Sequence, residues 1–164
     1  MLTPQEIIVR LLIASILGAL IGWERERKHW GAGLRTHMLV SIGSCLIMIV
    51  SAFGFSDILN TPHVTLDPSR IAAQVVTGIG FIGGGAILFY RQEVIRGLTT
   101  AAGIWTVAGI GLATGSGLYF AAFATTLITF IILLVLKPIE KHFFRKYQYQ
   151  TLKIVINPSS DGST

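Results

Sequence analysis

The chain has 164 residues, 52% of them hydrophobic and 13% charged, against about 25% charge in a soluble domain. Long stretches carry no charge, the mean hydropathy is +0.67, and so short a chain has too much surface to hide this load in one water-exposed globule. A soluble globular enzyme and a disordered chain are excluded, and a single cysteine, Cys45, excludes a disulfide scaffold.

A transmembrane helix needs about 20 mainly apolar residues. Residues 7–23 make the first such run, 37–55 the second and 70–89 the third. No basic region precedes the first run and no small-residue cleavage site stands out, so it reads as an uncleaved span. Residues 98–136 are about twice the required length, and the Gly115-Ser116-Gly117 cluster divides them into two helices. The expectation is an all-α integral membrane protein of five transmembrane helices. Residues 1–146 form the helical domain and 147–164 a cytoplasmic tail.

Charge supports that count. The net charge of +5 suits nucleic acid or a membrane surface, and the positions of the charges decide for the membrane. Alternating the loops gathers 11 of the 13 Lys and Arg on one side: Arg25, Arg27, Lys28, Arg35, Arg91, Arg96, Lys137, Lys141, Arg145, Lys146 and Lys153. Only Arg10 and Arg70 fall toward the other. The positive-inside rule then puts the N-terminus outside and the C-terminus in the cytoplasm. Four spans would leave the basic tail outside.

Small residues recur at helical spacing: Ala14, Gly18 and Gly22 in the first span, and Ala73, Thr77, Gly80 and Gly84 in the third. Helices in lipid associate through close backbone approach at such positions. They predict tight packing within the bundle or self-association as a dimer.

Three polar clusters remain. Glu24, Arg25 and Glu26, followed by Arg35 and Thr36, stand at the cytoplasmic boundary, where two acids beside several cations could hold a cation or dock a partner. Asp67-Pro68 reads as a helix start, with Arg70 and Gln74 at the outer lip of the third span and Arg10 as their expected neighbour. Thr99 and Thr100 open the fourth helix, where hydroxyls cap free amides. The four histidines have no ligand spacing, and no nucleophile-base pair is visible, so neither a zinc site nor an enzyme is expected. No resident cofactor follows. Asp67, Glu24 and Glu26 are the carboxylates that could meet a metal such as Mg²⁺.

Several motifs together resemble the MgtC/SapB family: Gly22-Trp23-Glu24-Arg25-Glu26, Ala32-Gly33-Leu34-Arg35-Thr36-His37, Asp67-Pro68-Ser69-Arg70-Ile71-Ala72-Ala73-Gln74, Gly78-Ile79-Gly80-Phe81-Ile82-Gly83 and Arg96-Gly97-Leu98-Thr99-Thr100-Ala101-Ala102. The resemblance implies a multi-pass protein of the bacterial inner membrane, in a family named for magnesium transport. For some members the implied role is adaptation to low magnesium, survival inside macrophages and restraint of a partner, the proton-driven ATP synthase. It also implies a C-terminal ACT-like domain, of which residues 149–158 would be a first strand, cut short. Two functions follow as expectations: a regulator acting on another membrane complex, or a transporter or channel for Mg²⁺ or another cation. The absence of acids in mid-span disfavours conduction, because Mg²⁺ sheds water reluctantly and is usually met by carboxylate oxygens.

Overall fold

The computed structural model describes residues 2–26, 31–59, 61–63, 65–90 and 94–143. Arg27, Lys28, Arg91, Arg145, Lys146 and Lys153, with the whole 147–164 tail, lie outside the described residues. The described chain holds five helices: α1 (Pro4–Glu26), α2 (Leu34–Phe53), α3 (Ser69–Ala86), α4 (Leu98–Gly115) and α5 (Tyr119–Phe143). α1, α2, α4 and the Tyr119–Leu136 part of α5 are long and apolar enough to cross a membrane. α3 matches them in length, but Arg70, Gln74 and its glycines dilute its apolar character.

Glycine geometry explains how α2 comes to sit between α1 and α4. A Cβ on Gly18 would stand 2.8 Å from the His37 carbonyl oxygen, and one on Gly22 the same distance from Leu34 Cα. On the other flank, a Cβ on Gly111 would lie 2.3 Å from the Ser41 carbonyl oxygen and one on Gly115 2.5 Å from that of Cys45. Each pair is spaced one helical turn apart, so backbones meet along a line where side chains would hold them off. The first-span stripe of Ala14, Gly18 and Gly22 is wholly buried.

α5 closes one side of this triplet, with Ala122 packed beside Leu17 and Ile110. α3 lies on the other side, its Val75 and Ile79 against Ile104 and Ala108 of α4. Three span hydroxyls are satisfied locally: Thr114, Thr126 and Thr129 each donate to the carbonyl four residues back.

The long apolar region divides at the expected cluster. α4 ends at Gly115, Gly117 takes a positive φ of 85°, and α5 begins at Tyr119. The third element is shorter than residues 70–89. Three successive glycines weaken its end, the chain turns extended at Ile87, and β1 (Leu88–Tyr90) pairs antiparallel with β2 (Val94–Arg96). Gly97 returns the chain into α4 at φ 96°, where a Cβ would lie 2.0 Å from the Ala86 carbonyl oxygen. No other residue fits that junction.

Of the two expectations for the α3 stripe, packing inside the bundle is not met: Ala73, Thr77, Gly80 and Gly84 are exposed, and nothing lies within 4 Å of a Cβ placed on either glycine. Gly83 is the α3 glycine that meets α4, at Ala101.

Candidate functional site

Polar residues gather at the two ends of the bundle. At the end carrying the α1–α2 connection and the hairpin, Glu24, Arg25, His37 and Thr100 are all buried. Arg25 Nη2 donates to Thr100 Oγ1 at 2.7 Å, tying α1 to α4. Glu26 is exposed, and its Oε2 accepts the Leu34 amide at 2.9 Å, so the second acid of the cluster caps α2. His37 Nδ1 lies 2.8 Å from the Gly33 carbonyl oxygen; a carbonyl only accepts, so Nδ1 carries a proton and donates it there. Nε2 of the same ring and the Ser41 hydroxyl one turn on have no hydrogen-bond partner among the described residues. Burial of ionisable side chains at membrane depth marks functional positions by default, because lipid offers them no solvation.

Arg35 and Thr99 are exposed and Thr36 is half-buried. The expected threonine cap is absent: Gly97 precedes α4 without a side-chain cap, and Thr100 meets Arg25 instead. The hydroxyl nearest a buried guanidinium satisfies that charge in preference to amides that have another route.

At the opposite end Arg10 is buried, with 6% of its surface exposed. Nη1 donates to the Gly115 carbonyl oxygen at 2.6 Å, Nη2 pairs with Glu6 one turn back, and the guanidinium lies 5.5 Å from the Phe53 ring centroid. Arg10 is therefore anchored to the α4–α5 turn, and the expected neighbourhood with Asp67 and Arg70 is not formed. The acid one turn away and a free helix-terminal carbonyl take the cation first.

Asp67, Arg70 and Gln74 are all exposed. Asp67 Oδ1 accepts the Ser69 amide at 2.9 Å and its hydroxyl at 2.6 Å, fixing the start of α3. These bonds, with a smaller contribution from the Arg70 charge, hold the Asp67 carboxyl below its usual range. Among the described residues, Asp67 is the only charged one lining an open groove of about 550 Å³ between α2, α3 and α4, with Met48, Ala73, Val76 and Leu112 among its walls. Among the described residues no group of three or more His, Cys, Asp or Glu could hold a metal ion. Glu24 and Asp67 stand at opposite ends.

Three contributors escaped the sequence reading. Glu6 pairs with Arg10, and their i,i+4 spacing was the available signal. His37 and Ser41 share that spacing opposite Gly18 and Gly22, which marks the buried side of α2.

Apolar bundle-forming spans with charged groups buried between them define a polytopic membrane protein. Residues 11–142 match the MgtC family, and the chain belongs to that family. It is 49% identical over 150 residues to YhiD of Escherichia coli, a protein provisionally named a magnesium transporter, covering 92% of this chain and 69% of the relative. Protein SapB of Bacillus subtilis is 44% identical over 77% of this chain and 54% of its own length. Protein MgtC of Salmonella typhimurium is 45% identical over 74% of this chain and 48% of its own. The chain thus spans about half the length of SapB and MgtC. No solved structure matches it.

Proposed function

We propose that this protein is a regulator in the bacterial inner membrane, acting through helix contacts on another membrane complex during adaptation to low magnesium. The observation carrying this reading is the closed interior. Where α1, α2 and α4 meet, backbones approach so closely that even a methyl group on Gly18, Gly22, Gly111 or Gly115 would collide. The buried charges at the two ends are used to tie helices together, through Arg25 to Thr100 and Arg10 to Gly115. A conduction path needs a run of polar groups along the membrane normal, and no acid stands in mid-span to meet Mg²⁺.

The topology that suits this reading has the N-terminus outside and the C-terminus in the cytoplasm, with five helices crossing. Arg25 and Arg35 then sit at the cytoplasmic end with the hairpin, in keeping with the positive-inside rule. ATP synthase is the partner complex that the family resemblance brings, and a homodimer is the proposed assembly. Asp67, Arg70, Gln74, Arg10, Glu24, Arg25, Glu26, Arg35, Thr36, Thr99 and Thr100 are the positions where function is proposed to reside.

A second reading, transport of Mg²⁺ or another cation, has in its favour the open groove with Asp67 on its wall and the provisional name of the Escherichia coli relative. The two separate in a deletion strain grown in limiting magnesium. A regulator restores growth without a matching rise in the initial rate of Mg²⁺ uptake. Growth that tracks uptake across expression levels refutes the regulator.

A further inference from the structure

α3 is held to α2 at its start and to α4 further along, so the groove between the three helices is a fixed feature. The Ser51 hydroxyl of α2 donates to the Pro68 carbonyl oxygen, and Val75 and Ile79 pack on Ile104 and Ala108 of α4. Beyond Ser69 the groove's walls are wholly apolar: Met48, Ala72, Ala73, Val76 and Leu112. Such walls hold no ordered water, which needs several polar partners. In a bilayer the occupant is hydrocarbon. A partner helix is too large to seat there, since two turns of a helix 10–12 Å across fill about 850–1,200 Å³, against about 550 Å³ in the groove. A single acyl chain is slender enough.

Charge stands at one end of this slot only. Asp67 Oδ1 takes both bonds from Ser69, and Oδ2 accepts none from any described residue. Arg70 lies outside the groove, exposed in the first turn of α3, and its charge is near enough to act on the Asp67 carboxyl. We infer that the groove binds one phospholipid with a primary-ammonium headgroup, of the phosphatidylethanolamine type. An acyl chain lies along the apolar walls, the ammonium donates to Asp67 Oδ2, and the phosphate accepts from Arg70. Headgroup chemistry selects this lipid. A glycerol headgroup brings a phosphate for Arg70 but leaves the lipid anionic, and the carboxylate repels it. A choline headgroup carries its charge on a quaternary nitrogen with no N–H to donate. A primary ammonium has three donors, and hydrogen bonds between charged groups are about twice as strong as neutral ones. The assignment rests on neither function weighed above, and it takes the groove out of the transport reading.

The test is photolabelling of the full chain in liposomes, using trace phospholipid probes with a diazirine on one acyl chain and an ethanolamine, choline or glycerol headgroup. Peptide mass spectrometry locates the label, and Ile128 and Ile131, exposed on α5, serve as the reference for bulk lipid. Relative to α5, the ethanolamine probe should label Met48 and Leu112 about tenfold more than the choline probe, the weight of one hydrogen bond to a charged group. The glycerol probe should stay at the choline level. Asp67→Asn keeps the cap on α3 and should bring the ethanolamine probe down to the choline level. Ala73→Phe, which fills the groove, should abolish labelling of Met48 and Leu112 by all three probes while α5 is labelled as before. An unchanged thermal midpoint in detergent shows that each variant is folded. Equal groove labelling by the three probes overturns the headgroup assignment. An ethanolamine preference that survives Asp67→Asn, or a preference for the glycerol probe, overturns the role of Asp67. Labelling of α5 with none at Met48 and Leu112 overturns lipid as the occupant.

Discussion

Arg25 and Thr100, 75 positions apart in the chain, are joined by a 2.7 Å hydrogen bond with both side chains buried. The pair fastens the end of α1 to the start of α4, beside the hairpin that brings α3 back to α4. Its neighbour Thr99 is exposed and makes no such bond. Thr100→Val keeps the shape and removes the acceptor, so it should destabilise the protein by about 1–3 kcal/mol, while Thr99→Val should change it by less than about 0.5 kcal/mol. Thermal unfolding in mild detergent compares the two. Equal midpoints would mean that Arg25 does not depend on Thr100.

The glycines of α4 separate in the same way. Gly111 lies against the Ser41 backbone, where an added Cβ would stand at 2.3 Å, whereas Gly109 is exposed with nothing within 4 Å. Gly111→Ala should lose about 1–3 kcal/mol through overpacking against backbone. Gly109→Ala should be neutral or slightly stabilising, since alanine favours the helix. The readout is again the unfolding midpoint, and a harmless Gly111→Ala would contradict the close contact of α2 and α4.

Much of this architecture was legible in the sequence because lipid imposes simple rules on length and charge. Residues 98–136 were too long for one crossing, and the helix break falls at the expected Gly-Ser-Gly cluster. Gly18 and Gly22 announced a close helix contact and make one. The stripe on α3 carried the same signal without saying which surface it serves, because spacing fixes a face and not its neighbour. The hairpin was missed for a local reason. Leu88, Phe89 and Tyr90 continue an apolar run, and only the preceding glycines and the positive φ required at Gly97 show that the chain turns. Arg10 was assigned to Asp67 by depth, whereas its partner was decided by the turn that Gly115 and Gly117 place above it. Buried charges choose partners through tertiary contacts that periodicity does not encode.

Asp67 separates a capping role from a functional one. Asn caps a helix about as well as Asp, so a cap alone predicts that Asp67→Asn is silent. We expect the variant to accumulate in the membrane yet fail to restore growth of a deletion strain in limiting magnesium. The pH dependence follows from the lowered carboxyl of Asp67. A depressed folded-state pKa adds stability to the start of α3 above the unfolded carboxylate range, about pH 4, and that stability is lost as pH falls through the folded value. The protection factor of the Ser69 amide, its exchange measured against the intrinsic rate at each pH, should therefore fall on acidification in the wild type and stay flat in Asp67→Asn. Wild-type growth of the Asn variant would reduce Asp67 to a cap.

Topology is open to direct labelling. With the N-terminus outside, the α4–α5 turn faces the exterior. A cysteine at Ser116, in a Cys45→Ala background, should react with an impermeant maleimide added to spheroplasts. Reaction only after the membrane is opened would reverse the orientation.

The most direct test of a regulator with a closed interior is flux through the purified protein. Liposomes containing this chain and no other, loaded with a Mg²⁺-sensitive dye, should take up Mg²⁺ no faster than empty liposomes, with or without a membrane potential. Saturable uptake that scales with the amount of protein and falls in Asp67→Asn would contradict the account and make the chain a transporter.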